Sequence, residues 1–253
     1  MKEETFEYGN TPQMADAYKN AQNTFKYFWR ELYWENCRIV PGHDLTIVKV
    51  EFTQETMKES TQETIKEYMW IGDIDFDGIH VKGTLLNEPN ELTNIKEGDS
   101  VEIPLSKIAD WMFSIDQKVY GGFTVQTIRS EMNEKEREEH DDAWGLNFQE
   151  PDEVLIVYDQ EEHPENLIEH PMSRDMKEEC KKYLSENPKE LEVKDELGYT
   201  ALHIQAIAGN KSWIEALLEM ESDINAKTND GYTALDFAQK LEWEHIIPIL
   251  KKY

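Results

Sequence analysis

Apolar residues recur at steps of three and four through Met14, Tyr18, Ala21, Phe25, Phe28 and Leu32, the spacing of one helix face. Thr11-Pro12 reads as an N-cap followed by proline at the first helical position, so the pattern predicts an amphipathic helix over residues 12–33. The aromatic cluster Phe25, Tyr27, Phe28, Trp29, Tyr33 and Trp34 is explained by this spacing as core packing with one flanking edge, rather than as a ligand box.

Past Pro41-Gly42, the β-branched run Leu45 to Phe52 predicts a strand. Residues 53–66 are polar and read as a long loop or hairpin tip. Tyr68 to Phe76 and Ile79 to Leu86 read as two strands joined at Asp77-Gly78, a strong hairpin signal. Asn87 to Asn90 is a turn, and Val101 to Pro104 and Ile108 to Phe113 are further strands. Gly121-Gly122 breaks the pattern. Val125, Ile128, Met132 and the charged stretch to Asp142 read as one helix, and Val154 to Tyr158 as a last strand. Residues 1–158 are thus expected to form an α+β domain with a mostly antiparallel sheet and an acidic extension. The acidic segment 159–173, with Pro164 and Pro171, is expected to link it to a second domain.

A repeat lies beyond. Asp195-Glu196-Leu197-Gly198-Tyr199-Thr200-Ala201-Leu202-His203 is matched by Asn229-Asp230-Gly231-Tyr232-Thr233-Ala234-Leu235-Asp236, and Gly198 and Gly231 are 33 residues apart. Glycine suits the positive-φ tip of a finger, and the threonine hydroxyl caps the helix after it. Gly209 is expected to end that helix, and Trp213, Leu217 and Leu218 to build the next. Period and motif together resemble the ankyrin repeat, which implies an all-α array and protein binding. Ala201 and Ala234 stand where that family usually carries proline, and Pro248 is expected to kink or shorten the last helix. Met176 to Ser185, followed by Asn187-Pro188, reads as the second helix of a degenerate preceding repeat. That gives about two and a half repeats over 174–253, fewer than the three usually needed to stand alone, so the array is expected to lean on the first domain as one rigid body. His203 falls on the motif's structural histidine.

Residues 14–132 resemble the YegJ-like domain of unknown function found in bacteria. The likeness rests on Thr24-Phe25 to Phe28-Trp29, Val48-Lys49-Val50, Met69-Trp70, Gly83 to Pro89, Gly98 to Val101, Ile108 to Met112 and Gly121 to Thr124. His140 to Leu146 resembles an extension found with such domains when repeats follow. The resemblance implies no activity. It implies a context, since ankyrin and YegJ-like modules are similar to components of bacterial toxin–immunity loci. It also invites Asp110-Trp111 and the Asn87–Pro89 turn as site candidates, against which a capped strand and a turn are the simpler account. No phosphate loop, nucleophile elbow or helically spaced histidine pair is present. Asp73-Ile74-Asp75-Phe76-Asp77-Gly78 opens like a calcium loop, but Val81 and Thr84 stand at the ninth and twelfth positions, and the alternation fits a hairpin with an acidic face. His43-Asp44 fits turn chemistry. No catalytic residue, cofactor or metal is assigned.

Charge sharpens the expectation. The 253 residues carry 53 acids against 26 bases, a net charge of −27, and residues 131–170 alone hold 15 acids and 2 bases. Such a field repels nucleic acid and anionic membrane and attracts basic partners. The acidic stretch reads either as a solvated surface or as a docking face. Cys37 and Cys180 lack metal or disulfide spacing and fit free thiols in a reducing cytosol. Met1 to Thr5 lacks a signal-peptide pattern, and no apolar run is long enough to span a bilayer. The chain is therefore expected to be cytoplasmic and non-enzymatic and to bind another, basic protein, in the manner of an immunity protein that neutralises a basic toxin. The expected contacts are Glu153, Asp159, Glu161, Glu162, Asp195, Tyr199, Trp213, Asp230 and Tyr232. The alternatives are an enzyme in the first domain whose substrate the repeats recruit, and an acidic mimic of nucleic acid.

Overall fold

The computed structural model describes residues 11–58 and 61–253; the pattern read over Met1 to Thr5 lies outside them. The chain divides into two compact units. Unit 1 holds the residues through Phe28 together with Val40–Ile156, and unit 2 holds Trp29–Ile39 together with Val157–Tyr253.

Helix α1 spans Pro12–Asn36. The Thr11 hydroxyl accepts from Met14 N at 3.2 Å, the cap the sequence predicts. Met14, Ala21, Phe25, Phe28 and Leu32 are buried and Tyr18 is half-buried, so the predicted stripe is the packed face. The sheet of unit 1 is β1 (Leu45–Lys58), β2 (Thr61–Phe76), β3 (His80–Leu85), β4 (Ser100–Pro104), β5 (Ile108–Ile115) and β6 (Lys118–Gly121). It is antiparallel throughout, in the order β4-β3-β2-β1-β5-β6. Val48 sits between Ile71 and Trp111 in register, and the Trp111 indole donates to Ala21 O at 3.0 Å, so this face meets α1. On the opposite face Ile47, Met112 and Val119 pack with Val125 and Phe148.

Three expectations for unit 1 are corrected. Residues 53–66 belong to β1 and β2, which run on as a ribbon paired from Glu51–Tyr68 to Lys58–Thr61. Much of this ribbon is polar on both faces and gives no alternation to read. Val154 to Tyr158 is not a strand: Leu155 O accepts from Gly121 N, beside Asn147, which already occupies the β6 edge. The single helix over 125–142 is two helices, α2 (Phe123–Ser130) and α3 (Glu134–Trp144), because Asn133 and Glu136 form a reciprocal capping box. Strand β6 escaped notice because its turn, Asp116-Gln117, takes positive φ at both positions without a glycine.

Unit 2 contains three helix pairs: α4 (Pro171–Asp175) with α5 (Lys177–Glu186), α6 (Ala201–Ala208) with α7 (Lys211–Glu219), and α8 (Ala234–Lys240) with α9 (Ile247–Lys252). The segment 159–173 carries a short 3-10 turn over Pro164–Leu167 and the start of α4. The finger turns 195–199 and 228–232 close with the same bond, Asp195 N to Tyr199 O and Thr228 N to Tyr232 O. The period reappears as contact: Lys194 Nζ reaches Lys227 O and Asn229 Nδ2 reaches Glu196 O, each 33 residues away. Gly209 ends α6 in the left-handed region at φ 69°, as expected. Pro248 lies in the first turn of α9, where its missing N–H breaks no helical bond, so the expected kink is absent from this six-residue helix.

The end of α1 is part of unit 2. Buried Arg30 donates to the carbonyls of Asn166, Leu167 and Ile168, the last at 3.1 Å. Trp34 Nε1 donates to Asn210 Oδ1, and its ring stacks on His170 and meets Trp213 edge-on. Tyr33 Oη accepts from Gln205 at 2.7 Å, and the Arg30 guanidinium lies over Trp243 at 5.4 Å. Asn210 and Trp243 both lie in turns that join the two helices of a pair. This short helical stretch therefore runs along the turn edge of the array, away from the fingers.

Candidate partner-binding surface

With the turn edge covered, the fingers are the open edge of unit 2. Asp195 Oδ1 accepts from Leu197 N at 2.9 Å and Tyr199 N at 2.8 Å, an Asx turn that fixes the first finger. Thr200 and His203 then cap α6, with Thr200 N donating to His203 Nδ1 at 3.0 Å. His203 Nε2 lies 3.1 Å from both Ala226 O and Tyr232 O, tying the first repeat to the second finger. Burial holds the His203 imidazole below its ordinary range, against the pull of those carbonyls. Thr233 and Asp236 repeat the capping device on α8, and the bonds from the Thr233 backbone and side chain lower the Asp236 carboxyl.

The expected contact residues fall into three groups. Asp195 and Asp230 are exposed on the fingers. Tyr199 and Tyr232 are half-buried below them and pack on Phe237, each with ring centroids 5.5 Å away, so they support the fingers as much as they present a surface. Trp213 is half-buried at the turn edge beside Trp34, with Nε1 buried and without a hydrogen-bond partner among the described residues. Asp159, Glu161 and Glu162 lie in the turn before Pro164, where Asp159 Oδ2 stands 3.7 Å from His163 Nε2. Glu153 is exposed in unit 1.

Sequence reasoning missed the apolar part of this surface. Val193 and Leu197 are 53% and 51% exposed on the first finger, beside Asp195 and Glu196, and Ile204 is exposed on α6. Finger-tip positions carry no periodic signal, so only exposure identifies them. Exposed carboxylates thus stand beside exposed aliphatic side chains on the first finger.

The chemical candidates in unit 1 have structural duties. Asp110 is fully buried and caps α2, accepting from Trp111 N, Phe123 N, Thr124 N and Thr124 Oγ1 at 2.6–2.9 Å. Burial pushes its carboxyl above the usual range, opposed by the Thr124 bonds and the nearby Lys49 charge. His43 stacks on Phe113, and Asp44 caps the β5–β6 turn at Gln117 N. Asn87 Oδ1 accepts from Trp70 N. Asp77 Oδ1 holds the hairpin through Ile79 N and His80 N. Asp77, His80 and Glu102 converge closely enough to resemble a metal cluster, but Lys82 Nζ lies 3.9 Å from both carboxylates and supplies the positive charge. No helix among the described residues is long and apolar enough to cross a membrane.

Comparison with known proteins agrees with both units. Residues 11–148 match a family described as uncharacterized proteins conserved in bacteria (DUF2314), and residues 172–252 match ankyrin repeats. An ankyrin repeat protein of Neisseria meningitidis serogroup B is 48% identical over 235 residues, covering 93% of this chain and 91% of that one. The uncharacterized protein YegJ of Escherichia coli is 31% identical over 62 residues, covering 24% of this chain and 40% of that one. No solved structure matches. The repeats give the chain a protein-interaction module.

Proposed function

We propose that this chain, which belongs to the DUF2314 family and carries ankyrin repeats, works without catalysis by gripping a basic protein along the finger edge of its repeats. The observation that carries the reading is the exposure of Val193 and Leu197 among Asp195, Glu196 and Asp230, on the edge that α1 leaves open. Asp159, Glu161, Glu162 and Glu153 add to the negative field that draws the partner in, and Tyr199 and Tyr232 hold the fingers in place. Trp213 contributes from the turn edge as a packing residue. The net charge of −27 and the resemblance to components of toxin–immunity loci support a more specific role, neutralisation of a basic toxin in the cytoplasm.

The test is affinity capture with the full chain against Val193→Ser/Leu197→Ser. A basic protein is expected on the wild type, absent from the variant, and released at about 1 M salt, where screening acts within ~3 Å. Equal retention by both chains would sink the proposal. The toxin assignment falls if the captured protein is harmless when expressed alone.

A further inference from the structure

The β4 end of the sheet gathers a donor set of mixed chemistry. Asp77 follows β2, His80 opens β3, and Glu102 lies in the edge strand β4. His80 and Glu102 alternate with buried Val81 and Ile103, so both side chains stand on the opposite face. His80 Nδ1 lies 3.8 Å from Asp77 Oδ2 and 3.7 Å from Glu102 Oε1. One donor atom from each of the three residues lies within 4.8 Å of the other two. Ligand atoms about 2.1 Å from a tetrahedral ion stand about 3.4 Å apart, so a small closing movement completes such a shell.

A positive charge already sits here. Lys82 Nζ stands 3.9 Å from both Asp77 Oδ2 and Glu102 Oε2. That ammonium is replaceable: the Lys82 side chain is 38% exposed, and exposed Asp75, opposite it in register, is at hand to receive it. Asp77 Oδ1 accepts from Ile79 N and His80 N, which fixes the carboxylate while Oδ2 faces the cluster. The donor set selects the ion. One imidazole nitrogen with two carboxylates suits zinc, whereas calcium and magnesium favour shells made of oxygen alone.

We propose that Asp77, His80 and Glu102 bind a zinc ion, which displaces the Lys82 ammonium and clips the β2–β3 hairpin to β4. Three protein ligands leave a fourth position for water. The site lies wholly in unit 1 and does not depend on the finger edge binding anything.

Zinc chloride is titrated into the full chain by calorimetry in about 0.15 M salt, which screens the diffuse field of the surface carboxylates. One ion binds saturably, the His80 imidazole signals of a 15N-labelled sample shift, and the melting temperature rises with zinc. His80→Gln, Glu102→Gln and Asp77→Asn each weaken binding by about tenfold or more, at least the loss that removing an outer-shell partner brings. Asp77→Asn keeps an Oδ1 for the two hairpin bonds, so its zinc-free melting temperature stays near that of the wild type. Lys82→Met removes the competing ammonium and tightens binding. Cys37→Ser, at an exposed thiol, and His163→Gln, between Asp159 and Glu165, leave it unchanged. The proposal is overturned if zinc binds only diffusely, if His80→Gln binds it like the wild type, or if Lys82→Met binds it no more tightly.

Discussion

The Trp34 indole donates to Asn210 Oδ1 at 3.0 Å, joining positions 176 residues apart in sequence. Trp34 is buried against His170 and Trp213, so the bond sits in a packed site rather than in water. It makes a residue of the first helix a structural member of the repeats.

Trp34→Ala removes a buried indole and orphans Asn210 Oδ1. A loss of ~3–5 kcal/mol is expected, read as a lower urea midpoint for the helical signal. Trp34→Phe keeps most of the buried area and gives up the bond, for ~1–3 kcal/mol. Midpoints unchanged in both variants would show that the repeats do not need α1.

Two finger and turn glycines should respond differently to alanine. At Gly209, φ is 69° and a Cβ would collide with the Trp243 indole, so Gly209→Ala is expected to prevent the second and third helix pairs from packing. At Gly231, φ is 86° with open space around it, so only the backbone cost of ~1–2 kcal/mol applies. Thermal melts of the two variants should separate clearly; equal shifts would contradict the placement of Trp243.

Asp110→Ala removes the acceptor for two backbone N–H groups and one hydroxyl at the start of α2, and for Trp111 N within β5. Loss of a buried cap of this kind is expected to cost ~3–5 kcal/mol. Asp110→Asn keeps one acceptor oxygen and should fall between. If Asp110 served chemistry alone, neither variant would move the melting temperature.

Acid should loosen unit 2 in two stages. Burial holds His203 and His245 below the ordinary imidazole range, opposed by carbonyls of Tyr232, Ala226 and Gly209. Both stay neutral in the folded chain while the unfolded chain takes up protons. The stability this represents is present above about pH 6.5 and is lost as pH falls toward the folded values. The lowered Asp236 carboxyl acts lower down: its contribution is present above about pH 4 and fades as the carboxyl protonates. Melting temperatures in His245→Gln should vary less with pH than the wild type in the first window.

The parts legible in the sequence were those with a local rule behind them. Asp77-Gly78 fixed a hairpin, Thr11-Pro12 a helix start, and the 33-residue spacing of Gly198 and Gly231 a finger pair. The rest depended on distant partners. Residues 53–66 pair with each other as a ribbon without an apolar alternation to read, and at its base Glu67 and Gln54 hold the backbone of Asn90 to Asn94, a bond set no local window contains. The double role of α1 left a trace, since Arg30, Tyr33 and Trp34 fall off the stripe of Ala21, Phe25 and Phe28. That trace looked like excess aromatic packing, because the surfaces waiting for it lie more than a hundred residues away. The same holds for the proposed surface: the carboxylates were visible as charge, but Val193 and Leu197 stand out by exposure alone.

Helix α1 also sets an order of events during synthesis. Trp29 to Ile39 leaves the ribosome early, yet its partners begin at Asn166 and end near Trp243. At about 5–20 residues per second, Ile39 precedes Asn166 by roughly 6–25 seconds. Through that interval the nascent chain displays an indole and a guanidinium that will later be buried. The last turns of this helix are thus a delayed receipt, honoured only by a chain translated to its final repeat, and a message cut short leaves them exposed to chaperones and proteases.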